Sequence, residues 1–247
     1  MANQTHIHPD RLMVLDIETV PQFASFEQLP EVWKDLWADK ISKTMPENFS
    51  LPDSYQQKAG IQAEFGKIIC ISTGFFYTDK GNRLCFRLKS YAADNEKKLL
   101  QAFTADVEKF YNTTPDMHFA GHNIKEFDIP FISRRMLINQ LALPAFLQFS
   151  GRKPWETNLV DTMQLWKFGD YKNYTSLHLL ANCLGIETPK DGIDGSMVKD
   201  IYYKEQNLQR IVTYCQKDVV AVAQIFLRFQ QLPLLPPENI FIAGTET

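Results

Sequence analysis

The stretch Arg11-Leu12-Met13-Val14-Leu15-Asp16-Ile17-Glu18 is an apolar run that ends in two carboxylates. A short apolar run of this kind reads as a buried strand. In a strand, residues i and i+2 face the same way, so Asp16 and Glu18 stand side by side. Two carboxylates at the end of a buried strand repel each other and are costly to bury unless a cation lies between them. Oxygen donors suit the hard divalent ions Mg²⁺ and Mn²⁺. The doublet alone is short: among 29 acidic residues in 247, chance gives on the order of one D-x-E. Asp94-Asn95-Glu96 spells it again, where it reads as a polar helix start. What sets Asp16 and Glu18 apart is the apolar strand before them.

Further strands and helices follow outward from this one. Residues 67–77 are rich in β-branched and aromatic residues, and residues 82–89 alternate apolar with polar. Asp79, Gly81 and Asn82 supply a turn between them, which predicts a hairpin. A helix is expected over 94–112, with Asp94 as its N-cap. A short buried strand at 117–121 leads to a helix over 128–140, with Pro130 near its first turn. Residues 158–162 read as a fifth strand, 175–184 and 196–204 as short helices, and 206–231 as the clearest helix. Residues 22–60 form a long insertion in which Trp33 and Trp37 are expected to pack, and 142–157 a second irregular connection. The tail 232–247 reads as a wrapped arm with a frayed end. The pattern predicts an α/β fold: one mixed sheet with helices on both faces. The expected organisation is one domain over 1–247, with its core at about 11–231.

Composition narrows the partners. Apolar residues make up 45% and charged residues 22%, which excludes a globally disordered chain. The net charge is −3, so bulk positive charge cannot drive nucleic-acid binding, and any such contact must be local. No run is long and apolar enough for a transmembrane helix, and the N-terminal residues lack a signal-peptide core, so no membrane partner is expected. The four cysteines, Cys70, Cys85, Cys183 and Cys215, form no C-x-x-C pair and predict a cytoplasmic protein with reduced thiols. Cys70 and Cys215 sit in apolar patterns and read as core residues, and His6 and His8 are not assigned to a metal.

Two further motifs carry chemistry. Asn123-Ile124-Lys125-Glu126-Phe127-Asp128 follows a buried strand and precedes a helix, where open α/β sheets often bind ligands. An N-x-x-x-F-D string arises by chance in about one chain in twenty of this composition. Taken alone, Asp128 could as well be a helix cap. Tyr214 and Asp218, spaced i and i+4, stack on one face of the long helix beside its apolar stripe.

In their order, LDIET, NIKEFD and YCQKD resemble the three exonuclease motifs of the DEDD superfamily, in its tyrosine-containing branch. The chain is similar to stand-alone 3′–5′ exonucleases related to the proofreading domains of family-B DNA polymerases. The matching residues are Asp16, Glu18, Asp128, Tyr214 and Asp218, and the likeness spans about residues 11–230. It implies a ribonuclease H-like fold with a five-stranded mixed sheet, the first three strands antiparallel. It leaves no room for a polymerase palm, so a separate polymerase or repair protein is the expected partner. The segment KDGIDGSMV at 190–198 also looks like a recurring piece of this group, with no chemistry assigned to it.

The resemblance implies 3′–5′ exonuclease chemistry with two divalent cations, Mg²⁺ or Mn²⁺. Asp16 is expected to bridge both, Glu18 and Asp218 to complete one site, and Asp128 to hold the second ion. Tyr214 would orient the attacking water, since a phenol with a pKa near ~10 is a poor base at neutral pH. Glu18 would also contact the terminal 3′-OH, with Thr19, Asn123 and Phe127 as further substrate-binding candidates. Phe127 is expected to pack beneath the site, Asn123 to fix the loop that presents Asp128, and Asp161 to serve structure. Arg134, Arg135, Arg152, Lys153, Lys167 and Lys172, interleaved with Phe149, Trp155, Trp166 and Tyr174, are candidates to hold a strand. The expected substrate is the 3′ end of single-stranded DNA. An exoribonuclease, a non-catalytic nucleic-acid-binding module and a haloacid-dehalogenase-type phosphatase stay open, although the last leaves N-x-x-x-F-D and Tyr214/Asp218 unexplained.

Overall fold

The alternation along the first strand sets the architecture. In the computed structural model, which describes residues 7–46, 48–170, 172–187 and 192–243, β1 runs from Leu12 to Pro21. Met13, Leu15 and Ile17 point into one core, and Leu12 and Val14 into another on the opposite face. β1 pairs antiparallel with β2 (Gly66–Thr78), which turns into antiparallel β3 (Leu84–Ala92). On its other side β1 takes β4 (His118–Gly121) and then β5 (Leu159–Asp161), both parallel. These five strands form the ribonuclease H-like mixed sheet that the resemblance implies.

Among the described residues the sheet has six strands, not five. β6 (Ile240–Ile242) lies parallel to β3, giving the order β5-β4-β1-β2-β3-β6. The tail, expected to be a wrapped arm, wraps as a strand that covers the free edge of β3, which would otherwise present unpaired backbone groups. Asn239 secures it by donating to the Leu84 carbonyl at 2.9 Å.

Helices cover both faces. α3 (Glu96–Thr113) and α4 (Asp128–Ile138) pack on the Met13–Ile17 face. α8 (Leu208–Phe229) crosses the other face, placing Val219, Val222 and Phe226 against Leu12 and Val14. Asn95, not Asp94, caps α3 by accepting the Lys98 N–H, while Asp94 accepts a hydrogen bond from the Tyr202 hydroxyl. α5 (Thr162–Trp166), α6 (Leu177–Cys183) and α7 (Val198–Tyr203) complete that side. No helix among the described residues is long and apolar enough to cross a membrane.

The 22–60 insertion has its own small core. α1 (Glu31–Ile41) and α2 (Leu51–Lys58) bury Trp37 and Tyr55 against Phe65, and Ser50 caps α2 with a reciprocal bond to Asp53. Trp37 donates to Ser54 Oγ at 2.9 Å, so its one polar atom is satisfied. Trp33 is partly exposed and meets Phe65 edge-on at 5.4 Å. His6, residues Lys190–Asp191 of the recurring segment and the end of the tail lie outside the described residues.

Candidate active site

A defect in the sheet marks the site. The β1–β2 register shifts between Glu18 and Thr19, so that Glu18 pairs with Cys70 and Thr19 with Ile68. Ile69 is the extra residue of a β-bulge, and Ile69 and Cys70 accordingly enter the same core cluster while Ile68 and Ile71 enter the opposite one. The bulge lies where β1 delivers its two carboxylates to the α8 face.

The Ile68 N–H is held from behind the sheet, where Glu96 accepts it at 2.7 Å. Arg135 grips the same carboxylate with Nη2 at 2.6 Å and Nε at 2.9 Å, and Asn139 donates at 2.8 Å. Both members of this ion pair are almost fully buried. Arg135 is therefore committed to the scaffold and does not serve as a phosphate contact, contrary to its reading as a strand-holding cation. Glu96, from the second D-x-E, is likewise structural.

Asp128 arrives from the other direction. β4 ends at Gly121, where a Cβ would come 2.7 Å from Ile124 Cβ, so glycine lets the 122–127 loop fold back onto the sheet. Asn123 adopts a left-handed φ of 68°, and its carbonyl accepts the N–H groups of Glu126 and Phe127. Asp161, buried at the end of β5, accepts the backbone N–H groups of Asn123, Lys125, Met163 and Gln164. The loop is thus fixed by the Asn123 backbone and the Asp161 carboxylate, while the buried Asn123 Oδ1 has no partner among the described residues. His122 adds a brace from Nδ1 to Thr162 Oγ1 and from Nε2 to the Thr175 carbonyl. Asp128 opens α4, and its carboxylate accepts its own N–H and that of Ile17, which lies between Asp16 and Glu18 on β1.

α8 supplies the rest. Tyr214 and Asp218 share its face, and the Tyr214 phenol hydrogen-bonds Asp218. Cys215 donates its Sγ–H to Asp16 Oδ2 at 3.3 Å. Donor atoms of Asp16, Glu18 and Cys215 lie within 4.8 Å of one another. Cys215 is a core residue, as its apolar pattern predicts, and it also reaches the site. Its place one residue after Tyr214 and three before Asp218, on one helical face, was the available signal.

The electrostatics follow from this crowding. Burial, then the charges of Asp218 and Asp128, hold Asp16 well above the usual carboxylate range, against the opposing thiol hydrogen bond. Burial, then Asp16 and Asp218, do the same to Glu18. Asp128 is pushed up to about 7, chiefly by burial, although two backbone N–H groups pull it down. Burial and then Asp218 raise Tyr214, so its phenol stays protonated. Burial and then Cys70 raise Cys215, which remains a neutral donor.

This donor set fits hard divalent cations: oxygen-rich, buried, and self-repelling without positive charge. The protonated thiol beside it acts as a hydrogen-bond donor, not as a soft ligand. All five motif residues come together at this one place.

Two cavities meet at the site. One, of about 770 Å³, is lined by Asp16, Tyr214, Asp218, His122, Lys217 and the exposed Tyr174. The other, of about 600 Å³, holds Glu18, Thr19 and Phe127 together. Of the other aromatic candidates, Trp166 stacks on Phe229, Phe149 packs on the core, and Trp155 is exposed beside Lys153.

Comparison with known proteins adds to this geometry. Residues 60–234, more than half of the chain, match the family model described as a predicted 3′-5′ exonuclease related to the exonuclease domain of PolB. The chain belongs to this family. The matched span includes Asp128, Tyr214 and Asp218, whereas Asp16 and Glu18 precede it and reach them through β1. The chain is also similar to the family B DNA polymerase of the hyperthermophilic archaeon Pyrobaculum calidifontis. That likeness has a TM-score of 0.46 and 14% identity, and covers 92% of this chain and 27% of the polymerase. No curated protein matches the chain significantly.

Proposed function

We propose that this exonuclease-family protein is a metal-dependent 3′–5′ exonuclease that hydrolyses phosphodiester bonds at the 3′ end of single strands, with DNA favoured over RNA. The observation that carries the reading is the convergence of Asp16, Glu18, Asp128 and Asp218 in one place, where burial and then the neighbouring acids hold Asp16 and Glu18 well above the usual carboxylate range. The family's tie to the exonuclease domain of PolB supports DNA. The four free cysteines fit a reducing, cytoplasmic setting, with a separate polymerase or repair protein as the partner class.

The four carboxylates would hold two divalent cations, Mg²⁺ or Mn²⁺. When bound, such ions stabilise the attacking and leaving oxygens. The chain's own residues do the rest. Tyr214, held protonated, orients the attacking water by hydrogen bonding and does not serve as its base. Cys215 steadies the Asp16 carboxylate from below. Glu18 and Thr19 would contact the terminal 3′-OH, Phe127, which lines the same cavity, would flank the end of the strand, and Asn123 would act through the loop that presents Asp128. Hydrolysis breaks the bond between phosphorus and the upstream 3′ oxygen. The products are a nucleoside 5′-monophosphate and a strand shortened by one residue with a new 3′-OH.

The test is a ladder assay with 5′-labelled single-stranded DNA and RNA in Mg²⁺, Mn²⁺ or chelator. A ladder that shortens stepwise from the 3′ end, requires metal, and is faster on DNA is expected. Absence of cleavage from folded, metal-supplied protein would leave a binding module in place of an enzyme.

A further inference from the structure

Among the described residues, helices roof only part of the sheet face opposite Asp16 and Glu18. Met13, Leu15 and Ile17 lie on that face, and α3 covers the part nearest Tyr91, which meets Phe103 edge-on at 5.8 Å. α3 reaches outward as far as Phe110, whose ring lies 5.5 Å from Phe75. Beyond Phe110, Tyr77 and Arg87 stay partly exposed, and Phe241 is 36% exposed.

Strand register sets these side chains in a row. Met13 on β1 stands opposite Phe75 on β2, Phe75 opposite Arg87 on β3, and Arg87 opposite Phe241 on β6. Opposed residues share a face, and so do residues two apart, which adds Thr73, Tyr77 and Lys89. At about 4.8 Å between strands, Phe75 and Phe241 stand roughly 10 Å apart across Arg87. Tyr77 closes that gap, its ring 6.3 Å from Phe75 and 6.4 Å from Phe241. The Arg87 guanidinium lies over the Tyr77 ring at 5.4 Å. A cleft of about 150 Å³ beside the row is lined by Thr73, Phe75, Arg87, Lys89 and Asp106 among others.

Charge says what fits there. Arg87 and Lys89 line the cleft with one acid, Asp106, which also accepts from Lys109. Three cations against one acid run counter to a chain whose net charge is −3. Rings interleaved with cations suit single-stranded nucleic acid, whose bases stack on the rings while its phosphates meet the cations. The core of a protein–protein contact is depleted in lysine, which favours nucleic acid as the occupant.

We propose that this sheet face is a second, non-catalytic binding surface for single-stranded nucleic acid, with Phe75, Tyr77 and Phe241 as stacking platforms and Arg87 and Lys89 as phosphate contacts. It lies across the sheet from the carboxylates, so it holds a segment of the strand away from the 3′ end. Tethering that segment raises the effective concentration of the end at the hydrolytic site, a gain that only long strands receive. β6 thereby does more than cover an edge, because it supplies Phe241. Metal plays no part, and binding there stands whether or not the carboxylate site hydrolyses.

The test is fluorescence anisotropy of a 5′-fluorescein oligodeoxythymidine of about 40 residues with the full-length protein in chelator, longer than the roughly 4–16 nucleotides one such site covers. Phe241→Ala is expected to weaken binding about tenfold, whereas Phe241→Trp, which keeps a ring on β6, binds like wild type. Lys89→Ala is expected to lower the slope of log affinity against log salt by about one. In hydrolysis with Mn²⁺, Phe241→Ala should raise KM for the long strand about tenfold and leave KM for a trinucleotide unchanged, with kcat within about twofold for both. Leu137→Ala, exposed on α4 and outside the row, is the control and should match wild type throughout. Unchanged binding of the long strand by Phe241→Ala would overturn the surface. So would a wild-type dimer in sedimentation that Phe241→Ala converts to monomer with DNA binding intact, which makes the face a contact between copies. Phe241-dependent binding by a wild type that cleaves nothing would uphold the surface and overturn the exonuclease reading instead.

Discussion

Two buried clusters of acid lie on opposite faces of the same sheet, and they are built on opposite principles. Behind the bulge, Glu96 is matched by the Arg135 guanidinium, the Asn139 amide and the Ile68 N–H, so every oxygen has a partner of suitable charge. In front of it, Asp16, Glu18, Asp128 and Asp218 converge, and burial followed by the neighbouring acids raises Asp16 and Glu18. Burying a charge is tolerable when it is paired, so the first cluster belongs to the scaffold. The second is stable in its charged form only with added positive charge, which is what a catalytic metal site requires. The contrast separates two similar D-x-E strings: Glu96 is paired within the scaffold, whereas Asp16 and Glu18 join a cluster of acids.

Breaking the convergent acidic cluster should have the largest effect. Asp218→Asn is expected to reduce metal-dependent hydrolysis more than about a thousandfold while the metal-free protein stays folded, as judged by nuclease assay and thermal melting. Breaking the paired cluster should do the reverse. Arg135→Met leaves Glu96 buried without its partner and is expected to cost about 3–5 kcal/mol in denaturant unfolding, with activity retained in the folded fraction.

Tyr214→Phe sharpens the division within the site itself. It removes one hydroxyl and no charge, and is expected to lower kcat about 10–100-fold with little change in Mn²⁺ affinity. A pH series separates the clusters by titration. Asp128 binds its proton up to about pH 7 in the folded chain but only to about its ordinary 3.8 when unfolded. The folded state therefore holds more protons across that window, so stability of the metal-free protein should fall as pH rises from about 4 to 7. Asp128→Asn should flatten that slope in melts at stepped pH. The smallest effect is expected from Cys215→Ala, which removes one hydrogen bond to Asp16 and should lower kcat about threefold.

Much of this contrast was legible in the sequence. Strand and helix periodicity carried five strands, α3, α4 and α8, and the three motifs carried every residue of the convergent acidic cluster. What escaped depends on contacts between distant segments. Arg135 reads as a surface cation until Glu96, from another helix, is seen to enclose it. β6 is a three-residue stretch whose strand character comes wholly from the edge of β3. Cys215 fits an apolar stripe, and only its contact with Asp16 gives it a place in the site. Asn95 displaces Asp94 as the cap of α3 because Asp94 is engaged by Tyr202. The bulge that separates Ile69 from the regular register has no local spelling at all.

The central claim is that the convergent cluster of Asp16, Glu18, Asp128 and Asp218 is a divalent-cation site. Calorimetric titration of Mn²⁺ into the chelator-treated wild-type protein, beside Asp16→Asn, tests it most directly. The account predicts two ions bound per wild-type chain and loss of at least one of them in Asp16→Asn. Equal binding by both proteins, or binding by neither, would contradict it.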